Sequence, residues 1–237
     1  MPLFSFQGYN PSMKRLTFLI LLCLTACAAP TPTEVTSMPH IRYLALGDSY
    51  TIGERVPENE RCPIQLADLL NQKGYPTDVT VIAKTGWTTD ELWQGIQARE
   101  LTPPYDLASL LIGVNNQYRG YDIEEYREQF VFLLDKSVEY AGGDANRVIV
   151  LSIPDWGVTP FASSRDRSQI AKEIDAFNAV NKEETEKAGA HYIDITPISR
   201  EAVNDSSLIA DDGLHPSGKM YAEWAKLALP IVLEIFR

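Results

Sequence analysis

Ile41-Arg42-Tyr43-Leu44-Ala45-Leu46 runs directly into Gly47-Asp48-Ser49-Tyr50. A short apolar run that stops at a glycine reads as a buried strand ending in a turn. Four further runs of the same kind follow, at 79–83, 107–112, 148–153 and 192–195. Between and after them lie helix-length amphipathic stretches at about 63–73, 89–99, 123–140, 166–187 and 217–236. Pro63 suits a first helical position, and Thr88 with Glu91 forms a capping box. Strands alternating with helices predict an α/β fold: a three-layer α/β/α sandwich around a five-stranded parallel sheet with right-handed crossovers. In such a sheet the ligand-facing loops gather at the carboxyl ends of the strands, where Gly47-Asp48-Ser49 stands.

The chain ahead of this domain reads differently. From Met13, Lys14 and Arg15 precede an apolar run over 16–24 and then Thr25-Ala26-Cys27, the charged, apolar and small-residue regions of a secretory signal. The run is too short for a spanning helix. Leu24-Thr25-Ala26-Cys27 resembles a bacterial lipobox, which implies that residues 1–27 are a lipoprotein signal and that Cys27 carries lipid. Because residues precede Met13, Met13 is an alternative start. Residues 28–39, with Pro30, Pro32, Pro39, Thr31, Thr33 and Thr36, read as an extended tether, and residues 40–237 as the folded domain. The expectation is an exported protein held to the cell envelope through lipid on Cys27. Ala28 in place of Asp favours the outer membrane where the host has one.

Only Cys62 of the three cysteines then belongs to the domain, so no internal disulfide is expected, and its apolar setting predicts a buried structural thiol. Lys and Arg number 21 against 32 Asp and Glu, a net charge of −11, which repels phosphate backbones and sets nucleic acid aside as a partner.

A serine nucleophile needs an adjacent base, and the base needs an orienting acid. Of the three histidines, His40 lies at the end of the tether and His191 before a predicted strand. His215 closes Asp211-Asp212-Gly213-Leu214-His215, where one short turn can present both carboxylate and imidazole. Oxyanion donors are also required. The loops after the second and third predicted strands offer Thr85-Gly86-Trp87 and Gly113-Val114-Asn115-Asn116. Taken singly, each of these pieces also reads as turn chemistry or a helix cap.

Together and in this order they resemble the SGNH, or GDSL, hydrolase family over the whole domain. The resemblance implies a flavodoxin-like sheet with Ser49, His215 and Asp212 as catalytic triad. It also implies an oxyanion hole from the Ser49 and Gly86 N–H groups and the Asn115 amide, and no cofactor or metal. Tyr50 stands where the family usually has Leu, and Asn116 where Asp often follows the oxyanion Asn. The chain offers no His or Cys cluster at metal-ligand spacing, and the absence of Gly-x-Ser-x-Gly around Ser49 argues against the α/β-hydrolase fold.

The implied activity is hydrolysis of a small acyl ester, such as an acetylated glycan or a short-chain or lysophospholipid ester. A non-catalytic glycan- or envelope-binding lipoprotein and an acyltransferase using the same triad are the alternatives. Asp155, Trp156, Thr159 and Phe161 after the fourth strand, and Tyr118, Arg119 and Tyr121 after the third, are expected to border the site. Asp211 is a spare acid beside Asp212.

Overall fold

The computed structural model describes residues 39–237; the signal-like segment, Cys27 and the tether up to residue 38 lie outside the described residues. The elements in chain order are β1 (Ile41–Gly47), α1 (Ser49–Ile52), α2 (Cys62–Gln72), β2 (Thr77–Ala83), α3 (Thr89–Gln97), β3 (Leu107–Leu111), α4 (Val114–Tyr118), α5 (Ile123–Tyr140), β4 (Val148–Leu151), α6 (Arg167–Ala188), β5 (His191–Ile193), α7 (Thr196–Arg200) and α8 (Gly218–Ile235). The five strands form one sheet in the order β2-β1-β3-β4-β5, and every pairing is parallel. Helices α2 and α8 pack on each other, while α3, α5 and α6 form a second group. This is the α/β sandwich expected from the alternation of runs.

The inner strands β3 and β4 are buried at every position, as a sheet covered on both faces demands. The largest fully buried side chains are Trp224, Tyr126, Tyr221 and Phe130. Chain order reverses direction at β1, which pairs with β2 on one side and β3 on the other. That reversal opens a crevice at the carboxyl ends of β1 and β3. Register sharpens the point, because Gly47 pairs with both Ala83 and Leu111, so the loops after β1, β2 and β3 leave the sheet from one level.

The strand ends differ from the apolar runs. Strand β2 starts at Thr77, where polar residues already pair with Ile41 and Arg42 on an edge strand. Strand β4 stops at Leu151: Ser152 N still donates to Ile193 O at 2.9 Å, and from Ile153 onward side chains take over the hydrogen bonding. Asn178 on α6 accepts from Ile153 N at 2.7 Å and donates to Ile153 O at 2.9 Å, and Ser152 Oγ accepts from Ile195 N at 2.8 Å. The short helices α1, α4 and α7 carry too few residues to show a helical period. Among the described residues, no helix is long and apolar enough to cross a membrane.

Truncating Asn178 to Ala strands the N–H of Ile153 in the interior, while Ile153 O keeps the Thr196 hydroxyl as a donor at 2.9 Å. Asn178→Ala is expected to lose about 1–3 kcal/mol of stability, the cost of one unsatisfied buried group. Urea denaturation followed by far-UV circular dichroism measures it; a midpoint equal to that of the unaltered protein would show the tie to be dispensable.

Candidate active site

Ser49 is the first residue of α1, directly beyond the end of β1, and is 5% exposed. The turn that carries it is dense. A Cβ added to Gly47 would lie 2.1 Å from Thr51 Oγ1 and 2.3 Å from Leu111 O, so only glycine fits. Asp48 caps the helix, its Oδ1 accepting from Tyr50 N at 3.0 Å. Its Oδ2 is buried with no hydrogen-bond partner among the described residues, and burial pushes the carboxyl up to about 7 against the opposing backbone hydrogen bond from Tyr50. Tyr50, at the position where Leu was expected, is buried with its ring 5.8 Å from the His215 ring.

Gly86 has a φ of 85°, a left-handed conformation that favours glycine, and an added Cβ would meet only Arg119 Nη2, at 3.9 Å. Three ties hold this loop. Arg119 Nη2 donates to Gly86 O at 2.6 Å, Thr85 Oγ1 donates to the Glu54 carboxylate, and Asn115 Nδ2 donates to Trp87 O at 2.9 Å. Arg119 also pairs with Glu91 at 3.2 Å, and Glu91 accepts from Thr88 N at 2.9 Å. That backbone hydrogen bond first, then the Arg119 and Thr88 side chains, hold the Glu91 carboxyl below its ordinary value despite partial burial.

Asn116 is fully buried and faces away from the cavity, accepting from Thr89 N at 3.1 Å and donating to Thr89 Oγ1 at 2.7 Å. A carboxylate there could accept but not donate, so asparagine satisfies both partners.

The candidate base sits on a loop closed like a clasp. Ala210 N donates to His215 O and Ser217 N to Leu208 O, both at 2.8 Å, while Phe161 N donates to Gly213 O at 2.9 Å. Within the clasp, His215 Nδ1 lies 2.6 Å from Asp212 Oδ2, and Asp212 Oδ1 accepts from Leu214 N and His215 N, each at 3.0 Å. Burial works to raise the Asp212 carboxyl, but the hydrogen bonds from the His215 ring and the two backbone groups outweigh it and hold it below its ordinary value. Asp211 is exposed and pairs with Arg55 at 3.4 Å instead of His215, so the orienting contact belongs to Asp212.

Ser49, Gly86, Asn115 and His215 line one cavity of about 190 Å³, whose remaining wall includes Tyr50, Val114, Tyr118, Trp156, Phe161 and Leu214. Four of the candidates thus meet on one wall, and Asp212 stands behind His215. Among the described residues, no hydrogen bond joins Ser49 Oγ to the His215 ring.

The outer expectations divide. Trp156, Phe161 and Tyr118 line the cavity, but Asp155 is buried against Arg200 at 2.9 Å and Thr159 bonds Trp156 O, so both serve the loop's own structure. Arg119 supports the Gly86 loop from behind and is absent from the lining, as is Tyr121. The role of Glu54, separated from Thr85 by more than a whole helix and strand, carries no sequence signal. Cys62 is buried and its thiol is pushed up to about 12 by burial, the inert thiol expected of a core position.

With this geometry in view, the sequence profile of the GDSL-like lipase/acylhydrolase family matches residues 45–223. The chain belongs to this family. No curated protein matches it in sequence. Solved structures sharing the GDSL-like fold include a lipase/acylhydrolase from Enterococcus faecalis, at 18% identity over 83% of this chain and 97% of that one with a TM-score of 0.65. An acetylxylan esterase from Geobacillus stearothermophilus gives 17% identity, 84% and 95% coverage and a TM-score of 0.61. A lipolytic G-D-S-L family protein from Veillonella parvula gives 18%, 81% and 98%, and 0.63. At these identities the likeness is one of fold. Family membership makes this GDSL-like protein a hydrolase.

Asp48 gives the family's Gly-Asp-Ser turn a pH signature. Its folded carboxyl titrates near 7 against an ordinary 3.8, so folding takes up a proton between those values. The stability this supplies is fully present below about pH 4 and lost as pH rises through about 7. Asp48→Asn keeps the cap acceptor and cannot ionise. Its stability relative to the unaltered protein is expected to rise between about pH 5 and about pH 8, read as the difference in urea midpoints. A difference constant across that range would show that Asp48 does not titrate.

Proposed function

We propose that this protein hydrolyses carboxylic esters of small acyl groups by transfer through Ser49. The observation that carries the reading is the 2.6 Å contact of His215 with Asp212 on a loop that shares one cavity with Ser49, Gly86 and Asn115. His215 takes the Ser49 proton as Oγ forms a bond to the ester carbonyl carbon. The oxyanion receives hydrogen bonds from the Ser49 and Gly86 N–H groups and from Asn115. A side-chain amide has two N–H donors, and the one spent on Trp87 O leaves the other for the oxyanion. The bond to the leaving alcohol breaks as His215 returns the proton to it; water then attacks the acyl-Ser49 ester by the same sequence. Asp212, held ionised, stabilises the imidazolium at each step.

A cavity of about 190 Å³ suits an acetyl or short acyl group, since drug-sized ligands occupy roughly 300–1,000 Å³. The fold likeness to an acetylxylan esterase agrees with a small acyl group. The natural ester is accordingly an acetylated glycan or another short-chain ester ahead of a lysophospholipid.

The full-length chain is expected to cleave 4-nitrophenyl acetate and butyrate faster than the octanoate. Ser49→Ala and His215→Ala each lose at least about a thousandfold in kcat. If the unaltered protein is folded yet no faster than Ser49→Ala on all three esters, hydrolysis fails as the assignment. Transfer to an alcohol acceptor or envelope binding then moves ahead of it.

The same reading extends to location: the lipobox-like Leu24-Thr25-Ala26-Cys27 supports a lipid anchor on Cys27, with the domain working at the envelope, on the outer membrane where one exists. In bacteria fed labelled palmitate, the protein is expected to take up label and partition into detergent, and Cys27→Ser to do neither. Equal labelling of the two proteins would rule out Cys27 as the attachment point.

A further inference from the structure

We propose that the alcohol half of the ester is a sugar, held in a polar cleft that opens from the Ser49 cavity across the Tyr118 ring. This rests on the ester-hydrolase reading and specifies what the esterified alcohol is.

A second cavity of about 320 Å³ adjoins the first, and the two share Tyr118 and Trp156 as a common wall. Their characters differ. Around its catalytic groups the Ser49 side is walled by Val114, Trp156, Phe161 and Leu214, whereas the outer cleft adds Gln117, Arg165, Asp166, Gln169 and Glu173 to Tyr118, Trp156 and Ile170. An ester whose acyl group fills the first cavity and whose alcohol leaves over Tyr118 meets amides and charges there.

The wall itself is aromatic and open. Tyr118 is 47% and Phe161 45% exposed, although Tyr118 packs edge-on against buried Trp156 at 5.4 Å and lies 6.4 Å from Phe161. Rings this exposed at a cavity mouth leave apolar surface open to a ligand, with only the Arg165 guanidinium, among the described residues, lying over Tyr118, at 5.8 Å. A pyranose or furanose ring presents a C–H face that stacks on an aromatic face and a rim of hydroxyls that seeks polar partners, the two surfaces the cleft supplies.

The cleft floor is also held in place. Trp156 Nε1 donates to Gln117 Oε1 at 2.8 Å, Gln117 Nε2 donates to Glu173 Oε2 at 2.6 Å, and Gln169 Nε2 donates to Glu173 Oε1 at 2.7 Å. This ladder fixes the aromatic wall and the positions of the polar groups before any ligand arrives. Its outer members keep capacity to spare. The Gln169 amide oxygen accepts nothing among the described residues, and Arg165 spends one long contact, 3.4 Å, on the Tyr118 hydroxyl.

Charge separates a sugar from a phospholipid headgroup. The chain carries a net −11, and Asp166 and Glu173 stand in the cleft, which opposes a phosphate. The Arg165 guanidinium lies 5.8 Å over the Tyr118 ring, where it would repel a choline cation. A neutral polyhydroxylated alcohol meets neither penalty.

The test compares xylobiose peracetate with ethyl acetate on the full-length chain and reads the ratio of their kcat/KM values. Tyr118→Ala is expected to lower that ratio about tenfold and Gln169→Ala about threefold, through KM for the sugar ester. Tyr118→Phe, which keeps the ring, is expected to hold the ratio within about twofold. Equal losses on the two esters, or a ratio unmoved by both truncations, would overturn the sugar subsite while leaving ester hydrolysis standing. Faster turnover of lysophosphatidylcholine than of the sugar ester would overturn it in favour of a lipid. A Ser49→Ala protein that still cleaves both acetates would bring down the underlying reaction assignment instead, so the two failures are separable.

Discussion

Parallel pairing of β1 with strands on both sides is the constraint from which the site follows. Because Gly47 shares its rung with Ala83 and Leu111, the chain leaves the sheet at one height in three adjacent places. Ser49, Gly86 and Asn115 come two, three and four residues after those rung positions. A ladder of backbone hydrogen bonds thus does the coarse positioning, and no side chain has to reach far. The clasp that carries Asp212 and His215 approaches the same crevice from the end of the chain and is fastened to the Phe161 segment.

Fine positioning is done by polar side chains bonded to backbone. Asn115 to Trp87 O, Asn116 to Thr89 and Arg119 to Gly86 O all run from the α4 region to the loop after β2. The two loops are therefore one hydrogen-bonded body, with Glu54 joining the α1 side through Thr85. Such ties are stiffer than apolar contacts because each depends on direction as well as distance. They are suited to holding donors still while charge develops in front of them.

The site's electrostatics divide between its two carboxylates. Asp212 is stabilised as an anion by three hydrogen bonds, while Asp48, which like Asp212 acts on the buried Tyr50, has no partner for one oxygen among the described residues and is held toward its neutral form. Hydrogen bonds favour the charge beside His215, and burial disfavours the one beside Ser49.

The sequence alone determined the α/β class, the position of all five strands and the candidates Ser49, Asp212, His215, Gly86 and Asn115. Apolar runs of strand length, amphipathic stretches of helix length and glycine-bearing turns are local signals, legible within a few residues. It also determined the lipobox-like segment, which depends on chain chemistry and on no fold. Tertiary structure decided where strands end, since Asn178 and Ser152 replace ladder bonds from distant positions. It decided that Asp155 and Thr159 belong to the loop's interior and that Arg119 braces Gly86 from behind, because a side chain's direction depends on neighbours far along the chain. It decided the size of the cavity and the polar cleft beyond Tyr118, which exist only between packed elements.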